Sequence, residues 1–165
     1  MDRIKISIKN NKLIVGDERI SLLSGEIHYW RLNPDCWRDC LDAAKDMGLK
    51  VIASYIPWQY HEYEAHKFDF DGKTAKQRNL IKFIELLESM GFWMIIRPGP
   101  YIYSEWVNKG IPNRVAQYHR LHPKFLEAAD EYITVVTEKL KPYFATEGGR
   151  IILLQADNEI DPDIG

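Results

Sequence analysis

Short apolar runs alternate with longer segments of helical periodicity along most of this chain. The runs are rich in aliphatic and β-branched residues and end at polar or aromatic residues, which is typical of buried strands. The first predicted core strand lies in the last part of segment 20–29, and the other three are 49–55, 92–97 and 150–156. The predicted helices are 34–47, 74–90 and 123–144. This alternation of strand and helix indicates parallel strands joined by right-handed crossovers.

The first helix has clear boundary signals. Asn33 followed by Pro34 is typical of an N-cap residue and the first helical position, because proline needs no hydrogen-bond partner for a missing N–H. Gly48 follows the last periodic residue and is a predicted C-terminal cap.

A β-hairpin is predicted ahead of the first core strand. Alternating residues at 4–8 and an apolar run at 13–16 flank Asn10 and Asn11, and asparagine tolerates the positive φ of a tight turn. We therefore expect residues 1–23 to form a hairpin that leads into the main domain.

The last apolar run, from Ile151 to Leu154, stops abruptly at Asp157, Asn158 and Glu159. The run predicts a strand buried on both faces, so these polar groups are expected at its C-terminal end. In folds of alternating strands and helices, that edge is where ligands bind and catalytic groups project. A purely structural role, as loop residues that cap a following helix, fits the same short stretch.

Each of the other predicted strands also ends in aromatic, carboxylate or amide groups. Flat apolar rings beside carboxylates and amides suit sugars, whose C–H faces stack on aromatic rings while their hydroxyls take hydrogen bonds. The loop segments concerned are 28–30, 55–62, 101–106 and 158–159.

Composition and charge narrow the function classes. The 165 residues are 45% hydrophobic, with 22 basic and 24 acidic residues, which indicates a globular chain of about one domain and argues against nucleic acid as a partner. No apolar run approaches the ~18 residues of a membrane span, and the start lacks the apolar core of a signal peptide. We expect a cytoplasmic protein without a membrane partner. Cys36 and Cys40 lie one helical turn apart and are poorly placed for a disulfide.

Nucleotide and metal sites are not predicted. The sequence contains no Gly-rich phosphate-binding loop of either common type. His61, Glu62 and His66 resemble a zinc-protease motif, but the second histidine comes five residues after the first instead of four. The expectation is that the protein needs no cofactor and no metal.

Four blocks of this sequence, taken in order, resemble glycoside hydrolase family 35, the β-galactosidase family. The blocks are 24–31 (SGEIHYWR), 58–62 (WQYHE), 99–106 (GPYIYSEW) and 155–159 (QADNE). The resemblance implies a (β/α)8 TIM-type barrel, of which residues 24–165 would form the first four βα units, and retaining hydrolysis of terminal β-D-galactosidic bonds.

The resemblance also implies roles for individual residues. Glu159 would be the general acid/base, and Asn158 beside it would bond the sugar 2-hydroxyl. Glu105 matches a position that holds substrate hydroxyls, and Tyr55 matches an aromatic residue of the sugar pocket. The other expected substrate-binding residues are Trp58, Tyr101 and Tyr103.

Two positions depart from the family pattern and bear on the sugar. Tyr103 stands where members usually carry a small residue or asparagine, and Gln59-Tyr60 replaces a more usual pair before His61. A bulky phenol beside the sugar would change which hydroxyl is accepted, so a β-glucosaminide or another β-glycoside is an alternative to a β-galactoside.

The second carboxylate of a retaining mechanism is not expected within this chain. In the family it follows strand seven, whereas four core strands are predicted here and neither Asp161 nor Asp163 would reach the opposite side of the pocket. We therefore expect the 165 residues alone to be inactive. The possible partners are the missing C-terminal half of the barrel or a second copy that pairs through open sheet edges. A non-catalytic or vestigial sugar-binding fragment is the alternative function.

Overall fold

The computed structural model describes residues 4–10 and 12–159. The strands of these residues are β1 (Ile6–Lys9), β2 (Lys12–Val15), β3 (Glu18–Ile20), β4 (Ser24–Glu26), β5 (Val51–Tyr55), β6 (Glu62–Glu64), β7 (Lys67–Phe68), β8 (Trp93–Gly99) and β9 (Ile151–Ala156). The α-helices are α1 (Trp37–Asp46), α2 (Trp58–His61), α3 (Leu80–Ser89) and α4 (Pro123–Leu140). No helix in the described part of the chain is long and apolar enough to cross a membrane.

The core of the fold is a four-stranded parallel sheet in the order β4-β5-β8-β9. Every residue of β5 is buried, as expected for a central strand covered on both faces. Tyr55 pairs with Arg97 and Gly99 pairs with Ala156, so the carboxyl ends of adjacent strands meet at one edge. The predicted α/β class and parallel sheet are confirmed.

The N-terminal hairpin is present and gains a third strand. Strands β1, β2 and β3 form an antiparallel sheet, and Asn10 adopts a φ of 50° at the first turn. The apolar face of this sheet packs on residues near the amino ends of the parallel strands, including Val51, Trp93 and Ile152. The hairpin therefore covers the end of the sheet opposite the predicted site.

Helix α1 begins as the sequence predicts. Asn33 accepts a hydrogen bond from the Asp35 amide at 3.2 Å, and Pro34 opens a short 3-10 turn that continues into the helix. The helix ends before Gly48, whose φ of 80° is a left-handed conformation that favours glycine.

The other two predicted helices are shorter than expected, for local reasons. Helix α3 begins at Leu80 instead of residue 74, because Asn79 caps it by accepting a hydrogen bond from the Lys82 amide at 2.9 Å. Helix α4 ends at Leu140 instead of residue 144. A 3-10 turn that contains Pro142 follows it, since proline cannot donate the hydrogen bond that would continue the helix.

The predicted loop after β5 contains regular structure: α2 and the short hairpin of β6 and β7. Buried Asp69 anchors the chain after this hairpin, accepting hydrogen bonds from the Thr74 hydroxyl at 2.6 Å and from the amides of Thr74, Lys73 and Asp71. Burial alone would raise the pKa of Asp69, but these hydrogen bonds outweigh it and lower the pKa to about 2.

Strand β9 is not buried on both faces, which corrects the sequence prediction. Leu153 and Leu154 are 39% and 45% exposed. These two neighbours point to opposite faces of the sheet, and β9 is an outer strand of the described sheet. The aliphatic run thus meets solvent on both sides of its second half.

His61 lies in the core and links three parts of the fold. Its Nδ1–H donates to the Asp69 carbonyl at 2.6 Å, and its Nε2 accepts from the Tyr29 hydroxyl at 2.5 Å. The ring also stacks on Phe70, with centroids 4.6 Å apart. Burial lowers the pKa of His61 to about 4, partly offset by the Asp69 carbonyl.

The stability of the chain should therefore fall as the pH is lowered from 6.5 to 4. In this window the unfolded chain binds a proton at residue 61 that the folded chain excludes, so the free energy of unfolding decreases, by up to roughly 3 kcal/mol. Urea unfolding between pH 7 and pH 4.5 measures this slope.

His61→Gln should flatten the slope, because glutamine does not titrate. Burial also lowers the pKa of His28. The variant His28→Gln therefore measures how much His28 contributes to the pH dependence of the unfolding free energy. An unfolding free energy that is constant over this range in the unsubstituted chain would contradict the assignment.

Candidate active site

Side chains from all four parallel strands meet at the carboxyl edge of the sheet. The Tyr55 hydroxyl at the end of β5 donates to Asn158 Oδ1 just beyond β9, at 3.0 Å. Arg97 of β8 pairs with Glu26 of β4 at 2.9 Å, and its guanidinium lies 4.8 Å from the centre of the Tyr55 ring. The His28 ring stacks on the same tyrosine, with centroids 5.8 Å apart. The predicted convergence of strand ends is thus observed for Tyr55 and Asn158.

The segment that carries Asn158 and Glu159 has an unusual backbone. Asp157 and Glu159 have φ values of 60° and 45°, in the left-handed region that non-glycine residues rarely adopt. The Asp157 amide donates to the Gly99 carbonyl at 2.9 Å, and its carboxylate accepts from the Tyr101 amide at 3.2 Å and pairs with Arg120. These contacts hold the segment in this conformation.

Asn158 is held by three hydrogen bonds. Its oxygen accepts from Tyr55 and from Gln155 Nε2, each at 3.0 Å, and its amide nitrogen donates to the Ile102 carbonyl at 3.3 Å. Glu159, in contrast, is exposed. The predicted acid/base residue therefore follows a fixed amide and has an accessible carboxylate.

Glu105 lies on the loop after β8, whose backbone is left-handed at several residues, like that of Asp157 and Glu159. Tyr103, Ser104 and Glu105 have φ values of 59°, 45° and 45°. The Glu105 side chain is 81% exposed and lies 3.6 Å from Arg31, which also donates to the Ser104 carbonyl. An exposed pair at this distance is weak, so the Glu105 carboxylate stays accessible to a ligand.

Trp58 is a core residue, which corrects the expectation that it stacks on a sugar. Its side chain is fully buried, its ring stacks on Tyr132 at 5.1 Å with an angle of 8° between the planes, and Phe125 packs edge-on at 6.1 Å. No face of the indole is left for a ligand, because helix α4 packs against it.

The two predicted tyrosines of the loop after β8 differ in exposure. Tyr101 is buried, with Arg120 4.5 Å from its ring centre. Tyr103 is 44% exposed and has an accessible ring. Trp106, which is half-buried, packs edge-on against Trp30 at 4.8 Å and donates to the Gln59 side chain at 2.6 Å. Of the predicted aromatic residues, Tyr103 is thus the one with the most open surface.

Sequence reasoning missed three residues that organise this edge: Glu26, Arg120 and Gln155. Glu26 supplies an acidic partner for the half-buried Arg97, and its place at the end of β4 is a sequence signal for that role. Arg120 lies 37 positions before its partner Asp157, in a loop without periodicity. No sequence pattern predicts that pairing.

The histidines of the zinc-protease-like stretch do not meet. Both ring nitrogens of His61 are hydrogen-bonded in the core, whereas His66 pairs with Glu131 at 2.8 Å on the surface. Among the residues that the structure describes, no three histidine, cysteine or acidic side chains are grouped as metal ligands would be.

The family sequence model for glycosyl hydrolases family 35 matches residues 12–163, which is nearly the whole chain. This chain belongs to glycosyl hydrolase family 35. The resemblance of the four sequence blocks to this family is thereby confirmed.

Two curated relatives show how far the similarity extends. An exo-beta-D-glucosaminidase of Thermococcus kodakarensis is 34% identical over 94% of this chain and 22% of its own length. Beta-galactosidase 13 of Arabidopsis thaliana is 35% identical over 94% of this chain and 19% of its own length. The family 35 chain thus spans about a fifth of these relatives.

A solved structure supports the fold. The endo-1,4-beta-mannanase of Rhizomucor miehei superposes with a TM-score of 0.64 and 11% identity, covering 94% of this chain and 48% of the mannanase. At this identity the likeness concerns the fold alone, which is that of TIM-barrel-type glycosidases.

The different positions of Trp58 and Tyr103 predict different costs of substitution. Trp58→Phe removes buried aromatic surface from the core and should lower the free energy of unfolding by roughly 1–3 kcal/mol. Tyr103→Phe keeps an exposed ring and should change it by less than about 0.5 kcal/mol.

Urea unfolding of the two variants beside the unsubstituted chain makes the comparison. Equal stability losses in the two variants would contradict the placement of Trp58 in the core.

Proposed function

We propose that this chain forms the first half of the (β/α)8 catalytic barrel of a retaining β-glycosidase and carries its general acid/base, Glu159. The observation that supports this most directly is the place of Asn158 and Glu159 at the carboxyl end of the fourth parallel strand, with Asn158 bonded to Tyr55 from the second. Ligands bind at this end of the strands in barrels of this kind.

The proposed chemistry follows from the groups at this edge. Glu159 donates a proton to the glycosidic oxygen as the sugar leaves, and then removes a proton from the water that releases the sugar. Asn158 bonds the sugar 2-hydroxyl, a contact that strengthens as the oxocarbenium-like transition state develops. Glu105 and Tyr103 are accessible on the adjacent loop and bind other hydroxyls.

The favoured substrate is a terminal β-D-galactoside. The relatives include both a β-galactosidase and an exo-β-D-glucosaminidase, so a β-glucosaminide is the second candidate. The two differ in charge at carbon 2, where a glucosaminide carries an amine that is protonated in weak acid.

The nucleophile is proposed to come from strands that pair beyond β9. Retention requires a second carboxyl ~5–5.5 Å from the first, on the opposite side of the sugar. The strand-end carboxylates of Glu26 and Asp157 are each already paired with an arginine. The exposed leucines at 153 and 154 and the outer position of β9 fit a downstream half that continues the sheet.

The 165-residue chain alone should show no steady turnover of 4-nitrophenyl β-D-galactoside, since the covalent intermediate requires the second carboxylate. Release of 4-nitrophenolate measures the rate. Turnover that persists in the unsubstituted chain and disappears in Glu159→Gln would contradict this assignment of a missing nucleophile.

In a longer product of the same reading frame that is active, Glu159→Gln should lower kcat/KM by about 10²–10⁴ for substrates whose leaving group needs protonation. The loss should be much smaller for 2,4-dinitrophenyl β-galactoside, because that phenolate leaves without a proton. Glu147→Gln, on the exposed turn before β9, is the matched control and should leave both rates unchanged.

Equal losses on both substrates would assign Glu159 a role other than proton transfer. Sugar binding without hydrolysis in every such product would favour the non-catalytic sugar-binding module instead.

A further inference from the structure

The side chain of Gln155 fixes the orientation of its neighbours. Its Nε2 donates to the Asp157 carbonyl at 3.1 Å and to Asn158 Oδ1 at 3.0 Å. A backbone carbonyl only accepts hydrogen bonds, so the atom of Gln155 that faces it is the nitrogen. The glutamine therefore presents a donor to the Asn158 side chain.

The orientation of the Asn158 amide follows in the same way. Its nitrogen faces the Ile102 carbonyl, another group that only accepts, at 3.3 Å. Its oxygen has two lone pairs, and Tyr55 and Gln155 occupy both. What Asn158 has left to offer a ligand is the second N–H of its amide, which is a donor.

A donor at this position discriminates between ligand groups. A hydroxyl oxygen accepts the N–H, whereas a protonated amine has three donors and no lone pair with which to accept. An ammonium group beside Asn158 would therefore leave that N–H without a partner.

The carboxylates around Asn158 are largely neutralised by arginines, so they do not offset the cost of placing an ammonium group there. Asp157 is paired with Arg120, and Glu26 is paired with Arg97 and more loosely with His28 at 3.3 Å, whereas the exposed pair of Glu105 with Arg31 is weaker. Three guanidinium groups thus lie among the groups that an ammonium would approach.

We infer that Gln155 is a positioning residue: together with Tyr55 it holds the Asn158 amide so that the site accepts a neutral hydroxyl and rejects an ammonium group. This inference rests on the proposed function and narrows it, since it favours substrates with a 2-hydroxyl over 2-amino sugars.

Binding of two sugars that differ only at carbon 2 tests the inference. Methyl β-D-galactoside and methyl 2-amino-2-deoxy-β-D-galactoside are titrated at pH 6 into the ¹⁵N-labelled 165-residue chain, and the side-chain amide signals of Asn158 and Gln155 are followed by NMR. The galactoside should bind at least about tenfold more tightly than the charged amino sugar, because a polar group is left unpaired by the latter.

Gln155→Met keeps the length of the side chain and removes the donor. With one of the two donors to its oxygen gone, the Asn158 amide can turn that oxygen toward an ammonium more readily, so the ratio of the two affinities should fall several-fold toward one. Tyr55→Phe removes the other donor to the same oxygen and should act in the same direction, which gives a second measurement if Gln155→Met does not fold. Gln117→Met, at an exposed loop position, should keep the original ratio.

A merely structural role for Gln155 would weaken both sugars equally and leave the ratio unchanged, which would overturn the inference. Equal binding of the two sugars by the unsubstituted chain would also overturn it, while the proposed function would stand. If neither sugar shifts the two amide signals, the proposed sugar site fails, and this inference fails with it.

Discussion

The parallel pairing of β4, β5, β8 and β9 is the constraint on which the rest of this structure depends. A parallel ladder fixes not only which strands are neighbours but also which of their ends coincide. Residues more than a hundred positions apart, Tyr55 and Asn158, reach hydrogen-bonding distance because each comes at or just after the end of its strand. Helices pack on the sheet and the N-terminal strands cover its amino end, which leaves the carboxyl edge for polar groups.

That edge contains backbone that would be unfavourable in isolation. Left-handed residues cost roughly 1–2 kcal/mol each when they are not glycine, and both Asp157 and Glu159 have this conformation. The Tyr101 amide and the Ile102 carbonyl tie the segment to the loop after β8, which has five left-handed non-glycine residues of its own. The two loops therefore support each other, and the Arg120–Asp157 ion pair helps to hold the segment that carries Glu159.

The parts of the fold that depend on local signals could be predicted from the sequence. The cap at Asn33, the glycine at position 48 and the alternation of apolar runs predicted the helices, strands and class of sheet, because each signal acts over a few residues. Helix ends were predicted less well, because hydrophobic periodicity does not show where a helix is capped or interrupted. Asn79 caps the start of α3, and Pro142 lacks the N–H that would extend α4. The exposure of Leu153 and Leu154 also escaped prediction, because burial of an outer strand depends on what packs beside it.

The same distinction applies to the site. The family resemblance pointed to Tyr55, Glu105, Asn158 and Glu159, which the structure places at the ends of neighbouring strands or on the loops that follow. The blocks also contained Trp58, whose burial under α4 depends on Tyr132 and Phe125, two residues more than sixty positions later in the chain. A motif records which residues recur in a family but does not show whether a side chain faces the ligand or the core.

The pairing of arginines with carboxylates at the carboxyl edge also bears on how a ligand arrives. Charges that are compensated by their neighbours at close range produce little field beyond about 8–10 Å at physiological salt. Such a surface neither attracts nor repels a neutral sugar from a distance, so the rate of encounter is set by diffusion and by access to the edge. Association should accordingly respond little to ionic strength, in contrast to the steering that enzymes with charged substrates obtain from an unbalanced field.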